Sequence, residues 1–385
     1  MVVKFTLWTR PSKHFNAMVD IAKLFTDLCS ITSPSGCEAQ TALWLKRYLK
    51  SKGLTTWRDA AGLNNDSNTG NLYALLKVNS KLSTVVLSAH MDTVAKKGDV
   101  IKPVIKKGNV SSMGDTILGA DNRAGIVAIL KVVEEIDITK LQNNLLLFFP
   151  TREEQGRMGS SFFTPTGKIK YIFNVDEGLS PGNFIHKSLG YINFKIIVNG
   201  KSAHAAKDYD KGVNAILVAS KLVTSIRMGR NIKEGWTLNI GKIGGGANTN
   251  AVCDHVELAG ELRAFSKTVM ESLVSKLSLI CKKIARSSGA KIKLVIDRSS
   301  YIAPFMGESG GKLAQICSLA AKRSSLAAKF NINFSTSDAN AFSGLGYPVI
   351  SVARGGKYPH SHRETIKLSD IAKTVKLLKE ILYLS

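Results

Sequence analysis

The chain is short of acids. Its 385 residues carry 29 Asp and Glu against 53 Lys and Arg, a formal net charge of +24, so nucleic acid, anionic lipid and acidic ligands all have to be weighed as partners. Long apolar runs are also missing: the longest, such as Ala124 to Leu130, reach about seven residues with glycine counted, far below the ~18 that a membrane-spanning helix needs. The N-terminus Met1-Val2-Val3-Lys4-Phe5 shows no long apolar stretch ahead of a small-residue cleavage site, so a cytoplasmic protein is expected, without a membrane partner. Cysteines are few and scattered. The five of them, Cys29, Cys37, Cys253, Cys281 and Cys317, form no C-x-x-C pair, which argues against a disulfide framework and against a thiolate zinc site. A metal bound here would need histidine and carboxylate ligands. The run Gly244-Gly245-Gly246 lies between two strand-like segments, not between a strand and a helix, and so does not read as a phosphate loop.

What is present describes a folded, multidomain α/β chain. The 44% of apolar residues can bury substantial cores, and at ~150 residues per domain the length implies two or three domains. Apolar residues at helical spacing mark 16 to 29 and 38 to 52; Ser35-Gly36-Cys37-Glu38 predicts a capping box for the second helix. Strand-like runs follow at Asn71 to Val78, Thr84 to Ala89, Asn144 to Phe149 and Tyr171 to Val175, with a long helical pattern from Asp121 to Glu135. That alternation predicts a mostly parallel, buried sheet. From Ser188 the order becomes strand, helix, two strands, helix, strand, the βαββαβ of a ferredoxin-like unit, with ~110 residues suited to a separate domain. After Arg298 the α/β pattern resumes, with a strand at Pro348 to Val352. The expected organisation is a catalytic domain from 1–187 and 298–385 with a second domain, 188–297, inserted into it.

Ionisable residues just past the ends of the buried strands are the most informative, because open α/β sheets place ligands outside the carboxyl ends of their strands. His90-Met91-Asp92 follows one strand, and the one-residue spacing lets the carboxylate orient the imidazole. Asp121 opens a helix, where a carboxylate stays ionised. Glu153-Glu154 follows the next strand, and Asp176 ends the apolar run Tyr171 to Val175. Each has an ordinary explanation alone: a hydrogen-bonded strand end, a helix cap, a surface turn. Together, in a chain poor in acids, they point to a metal site, to which His360-Ser361-His362 offers a further imidazole. His, Asp, Glu, Asp and His are a nitrogen and oxygen set suited to zinc, cobalt or manganese. Two ions sharing a carboxylate would stand ~3.5 to 4 Å apart, as in hydrolytic aminopeptidases.

The motifs, in order, resemble the M20 family of metallopeptidases, its peptidase T-like tripeptidases in particular. The likeness spans Ser88-Ala89-His90-Met91-Asp92-Thr93, Gly119-Ala120-Asp121-Asn122, Glu153-Glu154, Val175-Asp176-Glu177-Gly178, Asp338-Ala339-Asn340 and the terminal His-Ser-x-x-Glu from His360 to Glu364. Within the insertion, Gly200-Lys201-Ser202-Ala203-His204-Ala205 and Thr249-Asn250-Ala251-Val252-Cys253-Asp254, followed by Glu261-Leu262-Arg263, resemble that family's lid and dimerisation domain. The resemblance implies two zinc ions, one held by His90 and Asp176, the other by Glu154 and His360, with Asp121 bridging. It implies Glu153 as general base, taking the proton of a metal-activated water, and Asp92 as the partner of His90. It further implies His204 as an oxyanion donor to the neighbouring subunit's site, Arg263 and Asn250 as holders of substrate, and a homodimer built through the lid domain. His362 competes with His360 as ligand, but His360 has the family's spacing to Glu364. His14, His186 and His255 stand outside any motif.

The expected activity is removal of the N-terminal residue from short peptides. An N-acyl amino acid amidohydrolase or carboxypeptidase-type enzyme is the alternative on the same metal centre, since fold does not fix substrate. A basic nucleic-acid-binding protein or a scaffold is the alternative from another class. Against it, the basic residues are spread along the chain and no nucleic-acid motif is present.

Overall fold

The computed structural model describes residues 13–156, 159–307 and 310–385. The chain divides into two compact units, one made of the segments up to His186, Gly307–Asn331 and Ser337–Ser385, the other of Lys187–Met306 and Ile332–Thr336.

In the first unit the strands Thr55–Arg58, Leu72–Leu76, Asn144–Phe149, Thr84–Ser88, Ile169–Glu177, Val349–Ala353 and Asn183–Ser188 lie side by side in that order. The middle four are parallel and the flanking pairings antiparallel. Thr84–Ser88, Asn144–Phe149 and Val349–Ala353 are buried along their whole length, which is why their sequences read as continuous apolar runs: parallel strands are covered on both faces. Leu87, Leu147, Phe173 and Val352 share one core with Ile126, Ile129 and Leu130 of the helix Ala120–Glu135 and with Leu378 and Ile381 of Leu368–Leu384. Each such side chain, buried, contributes roughly 1.5–3 kcal/mol. At Gly125 the helix Ala120–Glu135 approaches the sheet so closely that a Cβ would collide with the Val175 carbonyl and the Asn122 side chain. That approach sets the start of this helix beside the end of the strand Ile169–Glu177.

Two local expectations change. The strand expected at Tyr171 to Val175 runs on to Glu177, because pairing with Val349–Ala353 continues through an irregularity between Val352 and Ala353; Asp176 therefore lies within the strand. The capping box expected at Ser35 to Glu38 does not form. Glu38 occupies the N-cap position of the helix Ala39–Ser51 and makes no side-chain cap bond. Its buried carboxylate accepts instead from Gly36 N at 2.9 Å, Arg152 N at 2.9 Å and Ser67 Oγ at 2.6 Å, while Ser35 Oγ donates to Asp92 Oδ2 at 2.6 Å. Long-range donors outcompete the local cap.

The second unit is an antiparallel sheet in the order Gly229–Asn231, Trp236–Gly245, His255–Ala264, Gly190–Asn199, Lys291–Ile302. With the helices Ala215–Ser225 and Lys267–Ser288 it has the βαββαβ order expected from the sequence, plus one short strand. Residues of Gly190–Asn199 alternate between buried and exposed, as a sheet covered on one face requires. Its own core joins Ile196, Val198, Leu222, Leu258, Leu277 and Ile284. The last strand pairs with Gly190–Asn199 as far as Asp297, and the pairing resumes at Ile302 opposite Tyr191. The five cysteines are free, and among the described residues no helix is long and apolar enough to cross a membrane.

Candidate metal centre

The carboxyl ends of the four parallel strands, together with the start of the helix Ala120–Glu135, bring His90, Asp92, Asp121, Glu153, Glu154, Asp176 and His360 to one place. His90 is 1% exposed. Its Nε2 lies 3.2 Å from Asp121 Oδ1 and 3.3 Å from Asp176 Oδ1. His360 Nε2 lies 3.0 Å from Glu154 Oε1 and 3.7 Å from Asp121 Oδ2. Asp121 thus turns one oxygen toward each imidazole. Ligand atoms of His90, Asp121 and Glu154 all lie within 4.8 Å of one another. Donors around a four-coordinate zinc ion with bonds of ~2.0–2.1 Å stand ~3.3 Å apart, so the spacing about His90 fits such an ion. His362 is exposed.

Asp92, completely buried, ties the surrounding loops together. Its Oδ1 stands 3.2 Å from His90 Nδ1 and accepts from Glu153 N at 3.0 Å, while its Oδ2 accepts from Glu154 N at 3.1 Å as well as from Ser35. Burial works to raise its pKa, but the bonds from His90, Ser35 and Glu154 outweigh it and hold the carboxyl below its ordinary range. Such a partner fixes the tautomer and orientation of the ligating ring. Arg152, just before Glu153, and His360 both hold left-handed backbone conformations, at φ 56° and 61°, which non-glycine residues adopt seldom and often at functional sites.

Electrostatics set the other carboxyls apart. Burial pushes Glu153 well above the usual range, and Asp176, Asp338 and Glu154 add to the shift against the opposing effect of His90. Burial also raises Glu154, against its bond to His360. Asp121 goes the other way: burial is overcome by the Arg354 guanidinium and by hydrogen bonds to His360 and His90, which hold it well below the usual range. His360 is pushed up to about 10, chiefly by its bonds to Asp121 and Glu154. Carboxylate oxygens and imidazole nitrogens thus converge as a donor set suited to a divalent cation.

Sequence reasoning gave no part to several residues that build this centre. Arg354, 2% exposed, sets Nη2 2.7 Å from Asp121 Oδ1. Glu364, quoted only as part of a motif, accepts from Leu118 N at 3.1 Å, Gly119 N at 2.7 Å and Asp121 N at 2.9 Å, and so fixes the loop that presents Asp121. Asn122 Nδ2 donates to Asp176 Oδ1 at 2.7 Å. Asp338 is fully buried, its carboxyl pushed up to about 7 by burial. A charged side chain directly after the buried strand Val349–Ala353 was the one available signal for Arg354.

Three candidates lie in the second unit. His204 is exposed, and its Nδ1 accepts from Ala206 N at 3.2 Å and Lys207 N at 3.3 Å. Backbone bonds join its loop to that of Asn250: Ala205 N donates to Asn250 O at 2.9 Å, and His204 bridges Ala251. Arg263 stands near the end of the strand His255–Ala264, roughly 26 Å along it from His255 at ~3.3 Å per residue, where its guanidinium forks onto Glu261 with bonds of 2.8 and 2.9 Å. His186 is buried against Phe330 and His255 pairs with Asn199; the side chain of His14 lies outside the described residues.

Comparison with known proteins agrees with this arrangement. The M20 peptidase dimerisation domain matches residues 187–288, and peptidase family M28 matches residues 71–220. An uncharacterised protein of Bacillus subtilis, YqjE, is 29% identical over 360 residues, covering 93% of this chain and 96% of its own. Aminopeptidase PepT from Bacillus cereus superposes with a TM-score of 0.89 at 27% identity, over 95% of this chain and 98% of that one. A tripeptidase from Staphylococcus aureus does so at 0.88 and 25%, over the same shares. With a segment that matches the M20 dimerisation domain and an α/β unit that gathers histidines and carboxylates at its strand ends, the chain is similar to the M20 metallopeptidases and is a metal-dependent hydrolase.

Proposed function

We propose that the protein is a cytoplasmic di-zinc exopeptidase that releases the N-terminal residue of short peptides, tripeptides above all, and works as a homodimer through the unit that matches the dimerisation domain. The observation that carries this reading is the division of Asp121, with Oδ1 toward His90, which Asp176 also meets, and Oδ2 toward His360, which Glu154 also meets. His90 and Asp176 would hold one ion, Glu154 and His360 the other, with Asp121 between them. Bound divalent cations would supply Lewis acidity, polarising the peptide carbonyl and lowering the pKa of water. The likeness to an aminopeptidase and a tripeptidase over nearly the whole chain supports the choice of substrate.

The remaining roles fall to the chain's own groups. Glu153 is the proposed general base, the carboxylate beside Glu154 that takes the proton of the attacking water and returns it to the leaving amine. Asp92 holds the His90 ring and the Glu153–Glu154 turn in place. His204 and Asn250, joined through their backbones, act as one group in the partner subunit's site, His204 stabilising the oxyanion. Arg263 and Asn250 are the proposed holders of the substrate's carboxylate or backbone, the guanidinium fork being suited to a carboxylate.

Mass spectrometry of products tests this reading. Zinc-loaded protein is incubated with free tripeptides, N-blocked tripeptides and N-acyl amino acids, with and without chelator. Chelator-sensitive release of the N-terminal residue from free tripeptides alone is expected; cleavage of only the acylated compounds would move the protein to the amidohydrolase branch.

A further inference from the structure

Arg354 is a buried cation placed where a metal ion would also sit. It follows the strand Val349–Ala353, is 2% exposed, and is anchored by Nη1 donating to Gly355 O at 2.8 Å. Its Nη2 lies 2.7 Å from Asp121 Oδ1, the oxygen that also faces His90 Nε2 at 3.2 Å. Asp176 and Glu364 are the other acids whose charge it feels. The second oxygen of Asp121 faces the His360 imidazole, at 3.7 Å from Nε2. A guanidinium cannot give up its proton to make way for a metal, and burial strengthens its repulsion of a divalent ion.

We infer that Arg354 makes the two metal positions unequal: the His360–Glu154 position binds tightly, while the His90–Asp176 position binds weakly and exchanges its ion. Arg354 is a positioning residue acting through Asp121. The inference rests on the two-cation reading proposed above. Changes in the groups around a ligand typically alter metal affinity ~10- to 100-fold, and a difference of that size is expected between the two steps.

The test is a zinc titration of the metal-free full chain against a chromophoric chelator. Wild type should show one tight and one weak step; His360→Ala should lose the tight step and His90→Ala the weak one. Arg354→Gln should tighten the weak step ~10- to 100-fold, while Arg354→Lys, which keeps the charge, should stay within about threefold of wild type. Absence of any zinc binding would remove the two-cation reading itself. Two equal steps in wild type, a weak step in R354Q no tighter than in wild type, or equal tightening in R354K would overturn the assignment to Arg354 with two-cation binding intact. The wild-type ratio and R354K decide the matter if R354Q fails to fold by circular dichroism.

Discussion

Asp92 offers the sharpest test of how the centre is held. Its carboxylate meets four donors: His90 Nδ1 and Glu153 N on Oδ1, Ser35 Oγ and Glu154 N on Oδ2. In Asp92→Asn the amide oxygen can keep one side. The Ser35 hydroxyl can turn to accept from the new NH2, but one backbone N–H, that of Glu153 or Glu154, is left facing a donor. A buried unsatisfied donor costs ~1–3 kcal/mol, so about 2 kcal/mol is expected. Asp92→Ala orphans both amides and should cost about 4 kcal/mol. Ser35→Ala leaves Asp92 three donors and should cost about 1 kcal/mol. Urea denaturation of the metal-free protein gives the ranking, with amide exchange over Thr151 to Gln155 as the local readout. Loss of the carboxylate should also weaken metal binding ~10- to 100-fold. If Asp92→Asn matched wild type in stability while the Glu154 amide stayed protected, or if Ser35→Ala cost as much as Asp92→Ala, the account of this carboxylate as a common anchor would be refuted.

Other outcomes are expected on the same grounds. Glu153→Gln should retain both metals by elemental analysis yet lose at least ~10²-fold in kcat; near-normal turnover removes Glu153 from the base role. His204→Ala should lower kcat ~10²- to 10³-fold with metal content unchanged, and a wild-type kcat would leave no oxyanion role there. Glu134 accepts from Lys131, Lys52 and Tyr48; against the opposing effect of burial these bonds hold its pKa down to about 2 from the ordinary 4.5. A depressed carboxylate stabilises the fold above its unfolded pKa and loses that contribution as pH falls through its folded one. The stability gap between wild type and Glu134→Gln should therefore be constant above the ordinary value and close between 4.5 and about 2; a gap independent of pH down to that point would contradict it.

Much of this architecture is written locally, and the rest is not. The parallel strands announce themselves because burial on both faces demands unbroken apolar runs such as Thr84 to Ser88, and the strand ends then direct attention to His90, Glu153, Asp176 and the His360 loop. The inserted unit is legible through its alternation and its strand and helix order. What stays hidden depends on pairs far apart in sequence. Ser35 and Glu38 fit the pattern of a helix cap, yet their partners are Asp92, Ser67 and Arg152. Glu364 bonds to backbone amides more than two hundred residues away, and nothing near Arg354 signals that it will meet Asp121. Local pattern names the residues that end strands; only the closed sheet shows which backbone and side-chain groups hold them.

The order of the strands in space is not the order in which they are made. Val349–Ala353 pairs with Ile169–Glu177, yet the second unit is synthesised between them. At ~5–20 residues per second, a ribosome takes roughly ten to forty seconds to pass from Asp176 to His360. During that interval the nascent chain carries four of the five proposed ligands, without Glu364 to fix Asp121, Arg354 to offset its charge, or a parallel neighbour for the outer side of Ile169–Glu177. The inserted unit, with its own core, can fold in this time, and the sheet edge waits. Assembly of the metal centre is thus a late event in the life of the chain, timed by the length of the insertion.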